Sequence, residues 1–332
     1  MLNTNIDNIA IIGGGAWATA LAIQLSKKQE KCTLYLRNKD IINEINTQHT
    51  NNKYLPNIIL PSNLIASSDI SSIDQHQAII IAVPSIAFKE TLNKIKENNS
   101  RLKNPIIIAT KGLDQATGKL MTDIAAEILP SLDTAILSGP NLAYEIACSL
   151  PASINIACTN LNTVKNIAEA LETDSLVTSL STDIVTPQIS GAIKNIVAVM
   201  AGIFDALKYG HNAKAFLLTQ GLKEIRDLSL LLGGNIDSCF NVSAIGDLSL
   251  GINAMKSRNY NFGLELISSN IPEELIANYP YLVEGINACK AIELLINKHN
   301  IKLPLSQTVI DILNNPFSLK STLRNFKALA HA

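Results

Sequence analysis

The chain has 332 residues, of which 47% are hydrophobic and 17% charged, and a formal net charge of -1. That length exceeds what one core usually organises, so two domains are expected. The balanced charge, with no basic block, gives no electrostatic footprint for nucleic acid.

In chain order, the first stretch is also the most informative. Ile9 to Leu25 reads IAIIGGGAWATALAIQL: a buried strand, a glycine turn and a helix opening from it. Free amide groups and the helix dipole make such a turn an anion site suited to a dinucleotide pyrophosphate. The pattern is G-x-G-x-x-A, with Gly13 for the turn, Gly15 for close approach of the phosphates and Ala18 for helix–strand packing. A merely structural turn is the alternative, but the flanking strand and helix favour dinucleotide binding.

Cys32 to Leu36 reads as a second strand ending at Arg37 and Asn38. An acidic residue there would bind a ribose 2′-hydroxyl; Arg37 instead suits a 2′-phosphate or stacking on adenine, which leans toward NADP. A solvated arginine at a strand end is the other reading. Asp40 to Asn46 is a short helix, and a polar loop leads to a weak strand at Leu64 to Ala66. Gln77 to Val83 is a strong parallel strand, followed by a return helix, Ser85 to Lys96.

Pro105 to Thr110 is another strand, delivering Lys111 and Gly112 at its carboxyl end, where a doubly wound sheet holds its ligand. Lys111 reads equally as a ligand for an anionic substrate or as a surface lysine. Lys119 to Leu129 is helical. The strand Thr134 to Leu137 feeds Ser138-Gly139-Pro140-Asn141 and a helix through Ile146. Pro151 to Cys158 and Ser175 to Ser179 are the last strands, around a helix from Val164 to Leu171. The sheet half is therefore residues 1–181.

From Thr182 the chain turns helical, giving a second domain over 182–332, a normal domain size. Its helices are Asp183 to Leu207, Asn212 to Leu232, Ser243 to Leu250, Phe262 to Ser268, Leu282 to Lys298, Ser306 to Asn314 and Ser318 to Leu329. No signal peptide is evident, and no uninterrupted apolar run approaches the roughly eighteen residues of a membrane span. The five cysteines (Cys32, Cys148, Cys158, Cys239, Cys289) are scattered and read as small core residues in a reducing compartment. A cytoplasmic location without membrane insertion is expected.

The stretch SGAIKNIVAVMAGIF, Ser190 to Phe204, carries one charge, Lys194. Gly191 and Ala198 share its helix face and leave room beside it. The lysine either snorkels to the surface or sits in a cleft, where burial or a nearby cation tunes it for proton transfer. Gly191 and Gly202 cost helix stability, which points to close approach of another element. Asp247, in Gly246-Asp247-Leu248, suits holding a lysine or a substrate hydroxyl, and Arg258, in Ser257-Arg258-Asn259, suits gripping phosphate. Each also reads as a solvated loop residue. The five histidines (His49, His76, His211, His299, His331) are widely spaced, so no metal site is expected.

Several segments in order, GGGAWATALA, AVPS, ATKGLDQATG, LSGPNLAYEIA, GAIKNIVAVMAGI, GDL, SRNYNFG and VEG, resemble bacterial-type NAD(P)-dependent glycerol-3-phosphate dehydrogenases nearly end to end. The resemblance implies an α/β, Rossmann-like, mostly parallel sheet followed by an all-helical second domain, and a homodimer. It implies reversible reduction of dihydroxyacetone phosphate to sn-glycerol 3-phosphate with NADPH/NADP or NADH/NAD, at the entry to glycerophospholipid synthesis. It also implies roles: Lys194 as proton donor and acceptor, and Lys111 at both cofactor and substrate. Gly139, Asn141, Lys194, Asp247, Ser257, Arg258 and Asn259 would bind substrate. Gly13, Gly15, Ala16, Trp17, Arg37, Ala143, Arg258, Leu282 and Glu284 would bind cofactor. The chain departs from the family pattern at Asn141 (usually Ser or Thr), Ala16 (often Ser) and Ala18 (commonly Gly). Two other readings remain: a two-domain dehydrogenase of hydroxy or sugar acids, and a cofactor-sensing protein without turnover.

Overall fold

The computed structural model describes residues 6–99, 102–253, 255 and 257–316. Among these, eight strands form one sheet: β1 (Ile9–Ile12), β2 (Cys32–Tyr35), β3 (Leu64–Ser67), β4 (Ala78–Ile81), β5 (Ile106–Ile108), β6 (Thr134–Ser138), β7 (Ala152–Ala157) and β8 (Leu176–Ser181). Their spatial order is β3-β2-β1-β4-β5-β6-β7-β8. Every neighbouring pair is parallel except β6–β7, which is antiparallel. Central strands such as AIII in β4 and III in β5 are buried on both faces, which is why they read as unbroken apolar runs. Alternate residues feed two cores: Ile9, Ile11, Leu34 and Ile80 on one side, Ala10, Ile79, Ile81 and Ile108 on the other. The chain runs from β1 to β2 on one side and returns to β4 on the other. The carboxyl ends of β1 and β4 therefore flank the topological switch point, where such sheets bind ligands.

The helices of the sheet unit are α1 (Ala16–Ser26), α2 (Lys39–Gln48), α3 (Ser85–Asn98), α4 (Met121–Ile128), α5 (Ala143–Ala147) and α6 (Leu161–Leu171). Every residue of α1 from Ala18 to Ser26 is buried, as its composition of Ala, Leu and Ile on all faces dictates. It packs against α5, and Gln24 Nε2 donates to the Ile146 carbonyl at 2.5 Å.

The helical unit contains α7 (Thr186–Ala206), α8 (Gly210–Leu231), α9 (Asp247–Asn253), α10 (Arg258–Ser268), α11 (Pro272–Asn278), α12 (Glu284–His299) and α13 (Pro304–Asn314). Expected helix boundaries move where side chains cap or charge the ends. Asp183 lies outside α7 and caps it: Oδ1 accepts from the Val185 and Thr186 amides, and Oδ2 from the Thr186 hydroxyl. The stretch expected as one helix from Ser243 divides into a π turn, Val242–Gly246, and α9. The first turn of α10 is polar and α11 has no buried residue, so an apolar-periodicity search finds neither. The expected helix from Ser318 to Leu329, and His331, lie outside the described residues.

Counting unbroken apolar runs misses α7. By length and composition this helix is able to cross a membrane, but 83% of its most apolar window is buried inside the protein, as in a core helix. Gly202 explains part of that packing: a methyl there would overlap the Tyr260 carbonyl, and one at Gly263 would overlap the Val199 carbonyl. These two glycines let α7 and α10 cross at backbone contact.

Two compact units emerge, but they do not divide at a single point after residue 181. The sheet unit runs to Thr110 and resumes from Met121 to Pro187; the helical unit takes Lys111–Leu120 and the chain from Gln188 onward. The segment after β5 joins the helical unit because Lys111 forms an ion pair with Asp247, and Gly118 packs on the Ala291 carbonyl and Leu295 of α12.

Within the helical unit, Glu224 of α8 is 2% exposed and caps α13 from a neighbouring helix. It accepts from the Leu305 amide (2.6 Å), the Ser306 amide (3.1 Å) and the Ser306 hydroxyl (2.5 Å). Burial pushes its carboxyl up to about 7, with the Ser306 and Leu305 donors opposing and Asp227 adding. The folded protein therefore holds a proton that the unfolded chain releases near its ordinary value of 4.5. This contribution to stability is full below that value and is lost as pH rises through about 7. The unfolding midpoint of Glu224→Gln, relative to the unsubstituted protein, should rise between about pH 5 and about pH 8. A difference that is constant or falls would contradict this account of Glu224.

Candidate active site

In the sheet unit, β1 ends at Gly13, whose φ is +142° and whose amide donates to the Tyr35 carbonyl at 2.8 Å. A side chain there would overlap the Ala82 carbonyl at the end of β4 and crowd the Ala18 Cβ. Only glycine fits both the backbone angle and the space. At Gly15 the opposite holds: a Cβ would meet nothing within 4 Å, so the backbone borders open space. Gly15 is the N-cap of α1, no side chain caps the helix, and its first turn has no acidic residue. The indole Nε1 of Trp17 in that turn is buried with no hydrogen-bond partner. Uncapped amides, the positive end of the helix and an open glycine edge suit a dinucleotide pyrophosphate.

Asn51 supports this turn and gives no sequence signal. It is fully buried, and its amide donates to the Gly14 carbonyl (3.1 Å) and to the Thr19 hydroxyl (2.8 Å). Ala16 offers no hydroxyl, so this loop relies on backbone amides. Arg37 follows β2 with its side chain 77% exposed and 3.6 Å from Glu90, a pairing too loose to hold the guanidinium in place. Gly139, at the end of β6, has a φ of +144°; Asn141 has a buried, unpartnered Nδ2, and Ala143 opens α5.

In the helical unit three charged side chains converge from three segments. Lys111 Nζ lies 2.5 Å from Asp247 Oδ2, and Lys194 Nζ lies 3.3 Å from Asp247 Oδ1. The Asp247 side chain is fully buried, and those of Lys111 and Lys194 are 16% and 18% exposed. The readings of Asp247 and Lys111 as solvated surface residues are therefore wrong. The site forms because Asp247 opens α9 directly after the π turn, a helix irregularity common at functional sites. Small residues make the room. A methyl at Gly191 would lie 3.3 Å from the Gly112 amide and 3.5 Å from Lys111 Cβ, and one at Gly251 would lie 3.6 Å from Lys194 Cδ.

One buried carboxylate between two ammonium groups leaves the cluster with a net positive charge. Burial pushes Lys111 down to about 8; Asp247 opposes this and the charge on Lys194 adds to it. Lys111 has a hydrogen bond to Asp247, whereas Oδ1 facing Lys194 has none. Lys194 is thus held to Asp247 by charge attraction rather than by a hydrogen bond.

Nearby, Ser257 is the N-cap of α10 and makes no side-chain capping bond; Arg258 is exposed on the first turn. Asn259 is 9% exposed and turned inward. Its Nδ2 donates to Asn195 Oδ1 at 2.8 Å, and its Oδ1 accepts from the Gly285 amide at 3.0 Å. Leu282 is half-buried just before α12, and Glu284 is the first residue of that helix.

Residues 8–164 match the family model of the NAD-dependent glycerol-3-phosphate dehydrogenase N-terminus, and residues 183–324 that of its C-terminus. A glycerol-3-phosphate dehydrogenase [NAD(P)+] of Orientia tsutsugamushi is 40% identical over 308 residues, covering 92% of this chain and 93% of the relative. The chain belongs to the NAD-dependent glycerol-3-phosphate dehydrogenase family. The dehydrogenase of the same name from Rickettsia akari is 39% identical over 91% of this chain and 96% of its own length. Among solved structures, the glycerol-3-phosphate dehydrogenase of Coxiella burnetii superposes with a TM-score of 0.89 at 33% identity, over 95% of this chain and 97% of that one. Membership in this glycerol-3-phosphate dehydrogenase family makes the chain an NAD(P)-dependent oxidoreductase acting on a CH–OH group. Its architecture is the Rossmann-like sheet followed by helices that the sequence predicts.

Proposed function

We propose that this chain reduces dihydroxyacetone phosphate reversibly to sn-glycerol 3-phosphate, with Lys194 as the proton donor and acceptor. The observation that carries the reading is the buried Lys111–Asp247–Lys194 cluster in a chain of this family. Bound nicotinamide cofactor supplies the hydride. The protein must supply a proton to the carbonyl oxygen and positive charge to stabilise the alkoxide that develops there.

Lys194 supplies both from an arm fixed by its attraction to Asp247. Lys111 adds a second positive charge, pre-organised by its bond to the same carboxylate, and fixed charge of this kind is often the largest contribution to catalysis. Asp247 keeps two close ammonium groups together and orients them. The exposed Arg258 guanidinium, with the uncapped amides at the start of α10, suits a phosphate monoester. A carboxylate substrate would leave part of that donor set unused. Turnover of NADPH and NADH followed by absorbance, with dihydroxyacetone phosphate, pyruvate and a sugar acid, tests this reading. It requires oxidation with the phosphate ketone and little with the others; oxidation confined to a hydroxy-acid or sugar-acid couple overturns it.

For cofactor choice, the exposed Arg37 at the end of β2 supports a preference for NADPH, because its planar cation fits a ribose 2′-phosphate. A charge-assisted hydrogen bond to phosphate contributes enough that Arg37→Ala should raise the KM for NADPH roughly tenfold or more and leave that for NADH nearly unchanged. Equal effects on both cofactors would assign Arg37 to the adenine ring instead.

A further inference from the structure

The peptide unit between Gly14 and Gly15 has no Cβ on either side, so sterics alone do little to fix which way its N–H and carbonyl face. The helix does not fix it either. The first hydrogen bond of α1 is taken by Gly15, whose carbonyl accepts from the Thr19 amide at 3.0 Å, and the Gly14 carbonyl lies outside that ladder. A side chain from a distant loop supplies the missing constraint. Asn51 Nδ2 donates to the Gly14 carbonyl at 3.1 Å and to the Thr19 hydroxyl at 2.8 Å, and that hydroxyl donates onward to the Gly15 carbonyl at 3.0 Å.

These bonds have one sense only. A carbonyl can only accept, so the nitrogen of Asn51 must face Gly14, and Thr19 must accept from Asn51 and donate to Gly15. Asn51 and Thr19 are both fully buried. Asn51 is itself clamped from α2: Glu44 Oε1 accepts from the Thr50 hydroxyl at 2.9 Å and from the Asn52 amide at 2.7 Å, on either side of it. Asn51 Oδ1 is buried with no hydrogen-bond partner. A leucine of similar volume would fill the space without that cost, so what Asn51 contributes is its two donors. In a trans peptide the carbonyl and the following N–H point in opposite directions. Holding the Gly14 carbonyl on Asn51 therefore turns the Gly15 N–H away from Asn51, beside the positive end of α1.

We propose that Asn51 is a positioning residue for the dinucleotide: it locks the Gly14–Gly15 peptide so that the Gly15 N–H stays aimed at the cofactor pyrophosphate, and Thr19 holds Asn51 in that orientation. The pyrophosphate is common to both nicotinamide cofactors, so the contribution is the same for NADPH and NADH. The inference rests on the glycine turn being the pyrophosphate site.

The test titrates NADPH and NADH into the full chain and into Asn51→Ala, Thr19→Val and Thr19→Ser, reading affinity together with the amide NMR signals of Gly15, Ala16, Leu21 and Ile23. In the unsubstituted protein both cofactors should move the Gly15 and Ala16 signals. Asn51→Ala should weaken NADPH and NADH by the same factor, roughly tenfold, the loss of a buried hydrogen bond. It should shrink the Gly15 response and leave the Leu21 and Ile23 signals of α1 in place. Thr19→Val should weaken both cofactors in the same way and Thr19→Ser should restore them, a comparison that decides the matter even if Asn51→Ala does not fold. Unchanged affinity in Asn51→Ala and Thr19→Val, or weakening of NADPH alone, overturns the proposal. Displaced Leu21 and Ile23 signals in the cofactor-free variants also overturn it, because Asn51 would then only hold α1 in place. Gly15 and Ala16 signals that ignore both cofactors in the unsubstituted protein would refute the pyrophosphate position itself, and the proposal with it.

Discussion

Lys194→Ala is expected to lower kcat for dihydroxyacetone phosphate by roughly 10²–10⁴-fold, the usual contribution of a positioned general acid. Cofactor affinity should be unchanged, because the dinucleotide turn is built from Gly13, Gly15 and the start of α1. Direct titration of NADPH binding beside the kinetic assay separates the two. The variant should also fold, since alanine at this position of α7 keeps helix propensity and removes a half-buried charge. Turnover close to that of the unsubstituted enzyme would remove Lys194 from the chemistry.

Asp247→Asn should be nearly as damaging, for a different reason. The carboxylate is fully buried between two ammonium groups, so the amide leaves Lys111 and Lys194 facing each other without a counter-charge. Removing one partner of a buried pair costs about 3–5 kcal/mol, here divided between stability and displaced lysines. The pH dependence identifies the mechanism. Asp247 is what holds Lys111 up against burial and the charge on Lys194, so its removal moves Lys111 below about 8. Above its pKa Lys111 loses the charge that attracts an anionic substrate. The alkaline limb of kcat/KM, expected near pH 8 in the unsubstituted enzyme, should therefore move to lower pH in Asp247→Asn. A limb that stays in place would show that Lys111 does not control it.

How much of this was legible in the sequence depends on what each residue depends on. The strand, turn and helix from Ile9 to Leu25 could be read directly, because hydrophobic period and glycine spacing are local. Lys194 was conspicuous as the one charge in an apolar stretch. Its partner left two readings open: Asp247 suits holding a lysine or lying in a solvated loop, and only the π turn and the start of α9 bury it. Lys111 could be placed at a strand end, but its membership of the helical unit comes from an ion pair 136 residues away in sequence. Asn51, Asn195 and Asn259 are buried by hydrogen bonds to residues distant in sequence, and a single asparagine has no spacing that reveals its partner. The missed α11 and the late start predicted for α10 have the same origin, since polar first turns carry no apolar period. The resemblance to a known family supplied roles at positions where the residues alone left two readings open.

The most direct test of the account follows the hydride itself. NADPH carrying deuterium at its transferable C4 position is incubated with dihydroxyacetone phosphate and the enzyme, and the product is examined by mass spectrometry and NMR. The account predicts sn-glycerol 3-phosphate with one deuterium at C2, formed roughly 10²–10⁴-fold more slowly with Lys194→Ala. Oxidised cofactor without deuterium at C2, or labelled product formed equally well without Lys194, would contradict it.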